Sequence, residues 1–251
     1  MKKEERHLLL IKKLKEMKVY EDALYEKGIT YIAGVDEAGR GPLAGPVVAA
    51  AVVLPKDFDV LGVDDSKKLS KKKREEFYEE IKKAAVAYGI GSIDNETVDR
   101  INILEATKAA MKEALRQLER DLRESIGADW KSLTGNESRK APCCIQHVLI
   151  DALILKDVPI PQTAIIHGDG LSLSIAAASI MAKVTRDRMM DEYNELYRGY
   201  AFDSNKGYGT KAHFEALKTR GLCPIHRRTF VNTASFADLL FSEEESEAPV
   251  K

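Results

Sequence analysis

The chain has 251 residues, 44% of them hydrophobic and 31% charged, with a formal net charge of -1. That composition supports a substantial core, and the near-neutral balance excludes a global positive field, so nucleic-acid contact must come from local basic patches. The three cysteines, Cys143, Cys144 and Cys223, form no CxxC pair, which excludes a zinc site of the usual thiolate spacing and predicts free thiols in a reducing compartment.

Met1 to Lys18 is charged throughout and has no apolar stretch followed by small residues, so it does not read as a secretory signal. Residues 4–27 carry Leu8, Ile11, Leu14 and Met17 at helical spacing, interleaved with Lys12, Lys13, Lys15 and Lys18. This predicts an amphipathic helix docked on the domain with solvated lysines, or alternatively an arm that touches a nucleic-acid backbone. Tyr31–Asp36 and Val47–Leu54 are short aliphatic runs separated by Gly39, Gly41, Pro42, Gly45 and Pro46, the pattern of two strands with a glycine-rich connection. The apolar run from Pro42 to Pro55 falls well short of the ~20 residues that cross a bilayer. A cytoplasmic protein without a membrane partner is the expectation.

Ser70 is placed to cap a helix running through Phe77 and Ile81, and Ala85–Ile93 reads as a third strand. Asn102 and Glu105 resemble a capping box opening a long helix with Leu104, Met111, Leu115, Leu118 and Leu122 on one face. Asp129–Pro142 is polar and reads as a surface loop. Ile145–Asp151 and Thr163–His167 are two further strands. Ser174–Arg198 is a helix whose Ala176, Ala177, Ala178 and Ser179 allow close packing on a sheet. Thr210–Arg220 is another helix, ended by Gly221. The tail from Ser242 is acidic and is expected to be disordered. Three strands with short links predict an antiparallel meander, and the strand reached through the long helix can join it in parallel.

Carboxylates recur at strand ends: Asp36 and Glu37 after the first strand, Asp151 after the fourth, Asp169 after the fifth. A carboxylate closing an apolar strand is costly to bury unpaired. Any one of them reads as a cap or turn, whereas four alike point to oxygen ligation of Mg²⁺ or Mn²⁺, with no His and Cys set competing for a softer metal. Two such cations about 4 Å apart are a standard arrangement for in-line phosphodiester displacement. Asp64 and Asp65, just before Ser66-Lys67-Lys68, read as turn and capping residues.

The run Asp36-Glu37-Ala38-Gly39-Arg40-Gly41-Pro42-Leu43-Ala44-Gly45-Pro46-Val47 resembles the signature of bacterial ribonuclease HII, a type 2 ribonuclease H. So do Asp65-Ser66-Lys67-Lys68-Leu69, Val148-Leu149-Ile150-Asp151, Gly168-Asp169, Ser174–Ile180, Ala182–Asp187 and Gly207-Tyr208-Gly209-Thr210, all in the family's order. The resemblance implies an α/β, ribonuclease H-like mixed five-stranded sheet flanked by helices. Residues 1–28 would be an N-terminal helical extension, 29–241 the catalytic domain with C-terminal helices, and 242–251 the acidic tail. It implies Asp36, Glu37, Asp151 and Asp169 as the catalytic and metal-binding set for two divalent cations. Gly39, Arg40 and Gly41 would read a ribose 2′-hydroxyl, and Tyr208 would pack on the next sugar, at an RNA-to-DNA junction. The physical chemistry agrees, since glycines admit backbone to a sugar and the 2′-hydroxyl distinguishes RNA from DNA.

Alternatives attach to several of these residues. Arg40 can instead pair with a nearby carboxylate, and Tyr208 can be an ordinary surface aromatic. Lys67 and Lys68 are assigned to backbone phosphate, and Lys71, Lys72, Lys73 and Arg74 to a solvated or weakly steering patch. Lys183 and Arg186 either face the site or cap core carboxylates. His167 stands where the family often has lysine. The expected enzyme is a monomer acting on RNA–DNA hybrid and on ribonucleotide-containing duplex DNA, cutting 5′ of the ribonucleotide to leave 3′-hydroxyl and 5′-phosphate ends. Its rivals are a ribonuclease HIII-type enzyme, a non-catalytic hybrid-binding protein, and a carboxylate-metal phosphatase of small molecules.

Overall fold

The computed structural model describes residues 3–126 and 143–231. The expected loop at 129–142 and the acidic tail lie outside the described residues. Five strands, β1 (Ile32–Ala38), β2 (Val47–Val53), β3 (Ala87–Ile93), β4 (His147–Asp151) and β5 (Gln162–Ile165), form one sheet in the order β3-β2-β1-β4-β5. β1, β2 and β3 are the antiparallel meander, and β4 joins β1 in parallel with Val35 opposite Ile150. The fold is the mixed five-stranded sheet flanked by helices that the residue pattern predicts and the resemblance implies.

β2 is buried along its whole length because helices cover both faces. On one face Val47, Ala49, Ala51 and Val53 meet α5 (Ile103–Ser125) through Met111, Leu115, Leu118 and Leu122. Fully burying each such side chain stabilises by roughly 1.5–3 kcal/mol. On the other face Ala50 and Val52 meet α3 (Lys71–Ala84) and α6 (Leu173–Leu196). α6 lies so close to β1 that a Cβ on Gly34 would overlap the Ser174 carbonyl. Successive strand side chains alternate faces, so Gly34 and Asp36 share the α6 face.

The caps are local. Ser70 accepts from Lys73 N–H at the start of α3, and Ser172 from Ile175 N–H at the start of α6. Asn102 accepts from Leu104 and Glu105 N–H, but the Glu105 carboxylate pairs with Lys108, so only half of the capping box forms. Leu104, expected on the buried face of α5, is 39% exposed, because burial begins only at Ala106. A short helix not expected from the sequence, α4 (Asn95–Ile101), precedes it, capped by Asp94. The N-terminal segment is two helices, α1 (Lys3–Met17) and α2 (Val19–Tyr25), and Leu8 faces solvent while Met17 is buried. Lys13 of α1 pairs with Asp64 instead of being solvated. Glu21 of α2 seats this extension on the start of α6: its Oε1 accepts from the Ser172 hydroxyl and from the Ser174 hydroxyl and N–H. A carboxylate at a helix N-terminus is favoured by the helix dipole.

After α6 come a short turn of helix, α7 (Phe202–Asn205), then α8 (Lys211–Arg220) capped by Thr210, and α9 (Arg228–Val231). They pack on the end of the sheet from which the Gly39–Pro46 loop leaves, through an isolated bridge between Ala44 and His226.

Candidate active site

Parallel register brings the sheet's carboxylates together. Asp36 follows Val35 and Asp151 follows Ile150, the last paired residues of β1 and β4. Asp36 and Glu37 lie inside β1 and not after it, because pairing with β2 continues to Ala38. Asp169 sits in a 3-10 turn at Gly168–Gly170, which His167 enters with a left-handed φ of 59°. Gly168 N–H donates to Asp151 Oδ1 at 2.8 Å, tying that turn to the end of β4.

Asp36 is 4% exposed, and its Oδ1 accepts from Glu37 N–H at 2.7 Å. Burial, then the neighbouring Glu37 and Asp151 carboxylates, push its pKa well above the ordinary carboxylate value. Burial likewise raises Glu37 against the opposing pull of Arg40, and raises Asp151 against its bond from Gly168. Glu37 Oε1 takes the Arg40 guanidinium at 3.2 Å, and its buried Oε2 has no hydrogen-bond partner. Asp169 Oδ2 meets Lys67 Nζ at 3.0 Å. Partial burial pushes the Lys67 ammonium down, but Asp169, Asp65 and Asp36 outweigh it and carry its pKa above the ordinary value. Lys68 lies 3.7 Å from both Asp64 and Asp65, and Asp65 caps the Ser66–Lys68 turn as expected.

Charge accumulation of this sign fits a divalent cation. Burial and mutual repulsion raise the pKa of three carboxylates, and one buried oxygen has nothing to bond. All the donors are oxygens, the set Mg²⁺ and Mn²⁺ take. Among the described residues, no three His, Cys, Asp or Glu side chains are arranged to hold a metal ion as they stand. Asp36, Glu37, Asp151 and Asp169 each hold a protein partner, which a cation would share or replace.

Beside the carboxylates runs the Gly39–Pro46 loop, held by two buried arginines. Arg227, 0% exposed, donates to the carbonyls of Gly39, Arg40, Pro42 and Gly45 at 2.6–3.0 Å. Arg186, 1% exposed, donates to Ala44, Pro46 and Lys206 at 2.9–3.0 Å. Arg186 thus neither faces the site nor caps a carboxylate, while Lys183 pairs with Asp187. Gly39 has a φ of 91°, and a Cβ there would overlap the Arg186 guanidinium, so the loop's path requires glycine. Arg74 is also a clamp and not a solvated charge, donating to the Ser66 and Leu69 carbonyls. Arg227 was not foreseen. Its only local signal is a basic residue in a C-terminal stretch, because its partners lie more than 180 residues away in sequence.

Tyr208 is 45% exposed, and its ring lies against Gly41: a Cβ added there would stand 3.8 Å from Tyr208 Cε1. Glycine loop, exposed tyrosine and carboxylates therefore share one end of the sheet, with Lys67 at the Asp169 side.

A family model described as ribonuclease HII matches residues 33–233. The chain belongs to the ribonuclease HII family. It is 52% identical over 221 residues to the ribonuclease HII of Caldanaerobacter subterraneus subsp. tengcongensis, covering 88% of this chain and 82% of that protein. The ribonuclease HII of Enterococcus faecalis is 54% identical over 216 residues, 86% and 75% of the two chains. Among solved structures, ribonuclease HII in a complex with PCNA from Archaeoglobus fulgidus superposes with a TM-score of 0.55 at 26% identity, over 82% and 96% of the two chains. A Bst-RNase HIII in complex with Mn²⁺ shares the fold, with a TM-score of 0.55 at 20% identity over 88% and 73%. The protein is a metal-dependent endoribonuclease of the ribonuclease H type. The sequence match to ribonuclease HII sets aside the HIII alternative. No helix among the described residues is long and apolar enough to cross a membrane.

Proposed function

We propose that this ribonuclease HII cuts the RNA strand of RNA–DNA hybrids and the 5′ side of single ribonucleotides in duplex DNA, leaving 3′-hydroxyl and 5′-phosphate ends. The observation that carries the reading is the meeting, at one sheet end, of four carboxylates with the Gly39–Gly41 loop and the Tyr208 ring. Asp36, Glu37, Asp151 and Asp169 hold two divalent cations, Mn²⁺ or Mg²⁺, with Glu37 Oε2 as a free donor. When bound, such cations supply Lewis acidity for a water nucleophile and for the departing oxygen.

The protein's own work is positional. Asp36 is fixed by its bonds from Glu37 N–H and the Ser179 hydroxyl, and Asp151 by its bond from Gly168 N–H. Gly39, Arg40 and Gly41 approach the ribose and read its 2′-hydroxyl. Tyr208 packs on the following sugar, and Lys67 and Lys68 neutralise backbone phosphate. A small-molecule phosphatase would use neither the glycine loop nor the exposed tyrosine.

Asp151→Asn tests the reading. It keeps the size and the bond from Gly168 but removes the charge that holds a cation, so turnover should fall by at least ~10² while hybrid binding survives. Near-normal turnover would remove Asp151 from the site.

A further inference from the structure

A buried chain of imidazoles leads from the Cys223–His226 turn to the Tyr208 backbone. His213 and His226 are 0% and 2% exposed. His213 Nδ1 lies 2.9 Å from the Tyr208 carbonyl, and His213 Nε2 lies 3.0 Å from His226 Nε2. At its far end, His226 Nδ1 lies 2.9 Å from Cys223 N, 3.1 Å from the Cys223 thiol sulfur and 3.1 Å from the Cys223 carbonyl oxygen.

A carbonyl only accepts, so His213 Nδ1 must carry the proton. A neutral imidazole has one donor and one acceptor. His213 Nε2 is therefore an acceptor, His226 Nε2 the donor to it, and His226 Nδ1 the acceptor from Cys223 N–H. A donor role for His226 Nδ1 toward the Cys223 carbonyl would leave two bare Nε2 atoms facing each other, so the pair of rings is satisfied in one direction only, the condition under which a buried polar network rigidifies its surroundings. Burial lowers the pKa of both rings, His226 to about 4, which favours the neutral imidazoles that the contacts call for. Tyr200 and Phe202 box the rings, with His213 edge-on to Phe202 at 5.4 Å and His226 tilted on Tyr200 at 5.2 Å.

The relay ends at the residue whose ring forms the wall beside Gly41. The Tyr208 carbonyl also accepts from Thr210 N–H at 2.8 Å, but that bond stays within the turn, whereas the relay carries on to the Cys223–His226 turn. The anchor is itself joined to the glycine loop: His226 is the bridge partner of Ala44, Gly45 N–H donates to Ile225 O, and Leu43 N–H donates to Gly207 O. One rigid unit thus spans both walls of the proposed junction-reading cleft.

We propose that His213 and His226 are positioning residues for junction specificity, holding Tyr208 at a fixed height over Gly41 through this one-way relay. The inference rests on the reading of Tyr208 as the sugar platform. Loss of the relay should lower cleavage of a single embedded ribonucleotide more than cleavage of a continuous hybrid, where the following sugar carries its own hydroxyl and fits the ring less well.

The test compares the native enzyme with Tyr208→Ala, His213→Leu and His213→Asn on both substrates, with thermal melts of each. Asparagine reproduces the Nδ1 donor to the Tyr208 carbonyl, leucine does not. His213→Leu should lower the ratio of junction to hybrid rates by about fivefold, the effect of one net hydrogen bond, and His213→Asn should restore most of it. Long-range proton–nitrogen NMR should show His213 as the Nδ1–H tautomer and His226 as the Nε2–H tautomer. An unchanged ratio in His213→Leu, equal losses on both substrates, or reversed tautomers would overturn the proposal. If Tyr208→Ala itself leaves the ratio unchanged, the platform reading has failed and takes the inference with it. A changed ratio in Tyr208→Ala beside an unchanged one in His213→Leu sinks the relay alone.

Discussion

Asp36 is buried and faces two other carboxylates, against which it has the Glu37 N–H and the Ser179 hydroxyl as donors. Its raised pKa has a stability consequence with a definite sign. A carboxyl raised in the folded state favours folding below its unfolded value, near 3.8, and that advantage is lost as pH rises through the folded value. At neutral pH the metal-free fold therefore carries unrelieved repulsion among Asp36, Glu37 and Asp151. Asp36→Asn should melt higher than the native protein without metal, by roughly 2–4 °C per ~1 kcal/mol relieved, and by more at pH 8 than at pH 5. Mn²⁺ should raise the native melting temperature and raise that of Asp36→Asn less. A variant that melts lower at pH 8 would show that Asp36 holds the fold together rather than straining it.

The elements divide by how local their causes are. β1, β2 and β3, α3 behind Ser70 and α5 behind Asn102 were legible because alternation, a capping side chain or an apolar stripe sits within a few residues of each. α4 escaped because seven residues carry only two apolar positions, Val98 and Ile101, and its cap Asp94 closes the preceding strand. The break at Lys18 and the exposure of Leu8 and Leu104 depend on where a helix meets its neighbour, which periodicity does not encode. The contact of β1 with α6 is such a case, since Gly34 reads as one small residue in a strand yet fixes how near the helix comes. Gly34→Ala should cost about 1–3 kcal/mol by overpacking, because Ala176, Ala177 and Ala178 leave α6 no room to withdraw. A urea midpoint equal to the native one would show that α6 shifts freely.

Across the whole molecule, the four carboxylates, the glycine loop and Tyr208 of the proposed site are singled out in the sequence because each sits in a compact motif resembling the family's. The scaffold that holds them is not: Arg186 and Arg227 reach carbonyls 140 and 182 residues away, and His226 reaches Tyr208 only through His213. Long-range polar clamps have no periodicity to read. Charge is also organised at this scale, since a net charge of -1 leaves substrate attraction to a few local cations. Hybrid affinity should fall with salt at a slope matching a handful of phosphates, and Lys67→Ala with Lys68→Ala should flatten it without moving the cut. An unchanged slope would leave both lysines as partners of Asp64, Asp65 and Asp169 only. The central claim, that one sheet end joins carboxylate-metal hydrolysis to junction reading, meets its most direct test in a labelled DNA duplex containing one ribonucleotide, cleaved with Mn²⁺ or Mg²⁺. The account expects one cut on the 5′ side of the ribonucleotide with 3′-hydroxyl and 5′-phosphate ends, dependent on metal. Cutting on its 3′ side, a 2′,3′-cyclic phosphate product, or equal cleavage of all-DNA duplex would contradict it.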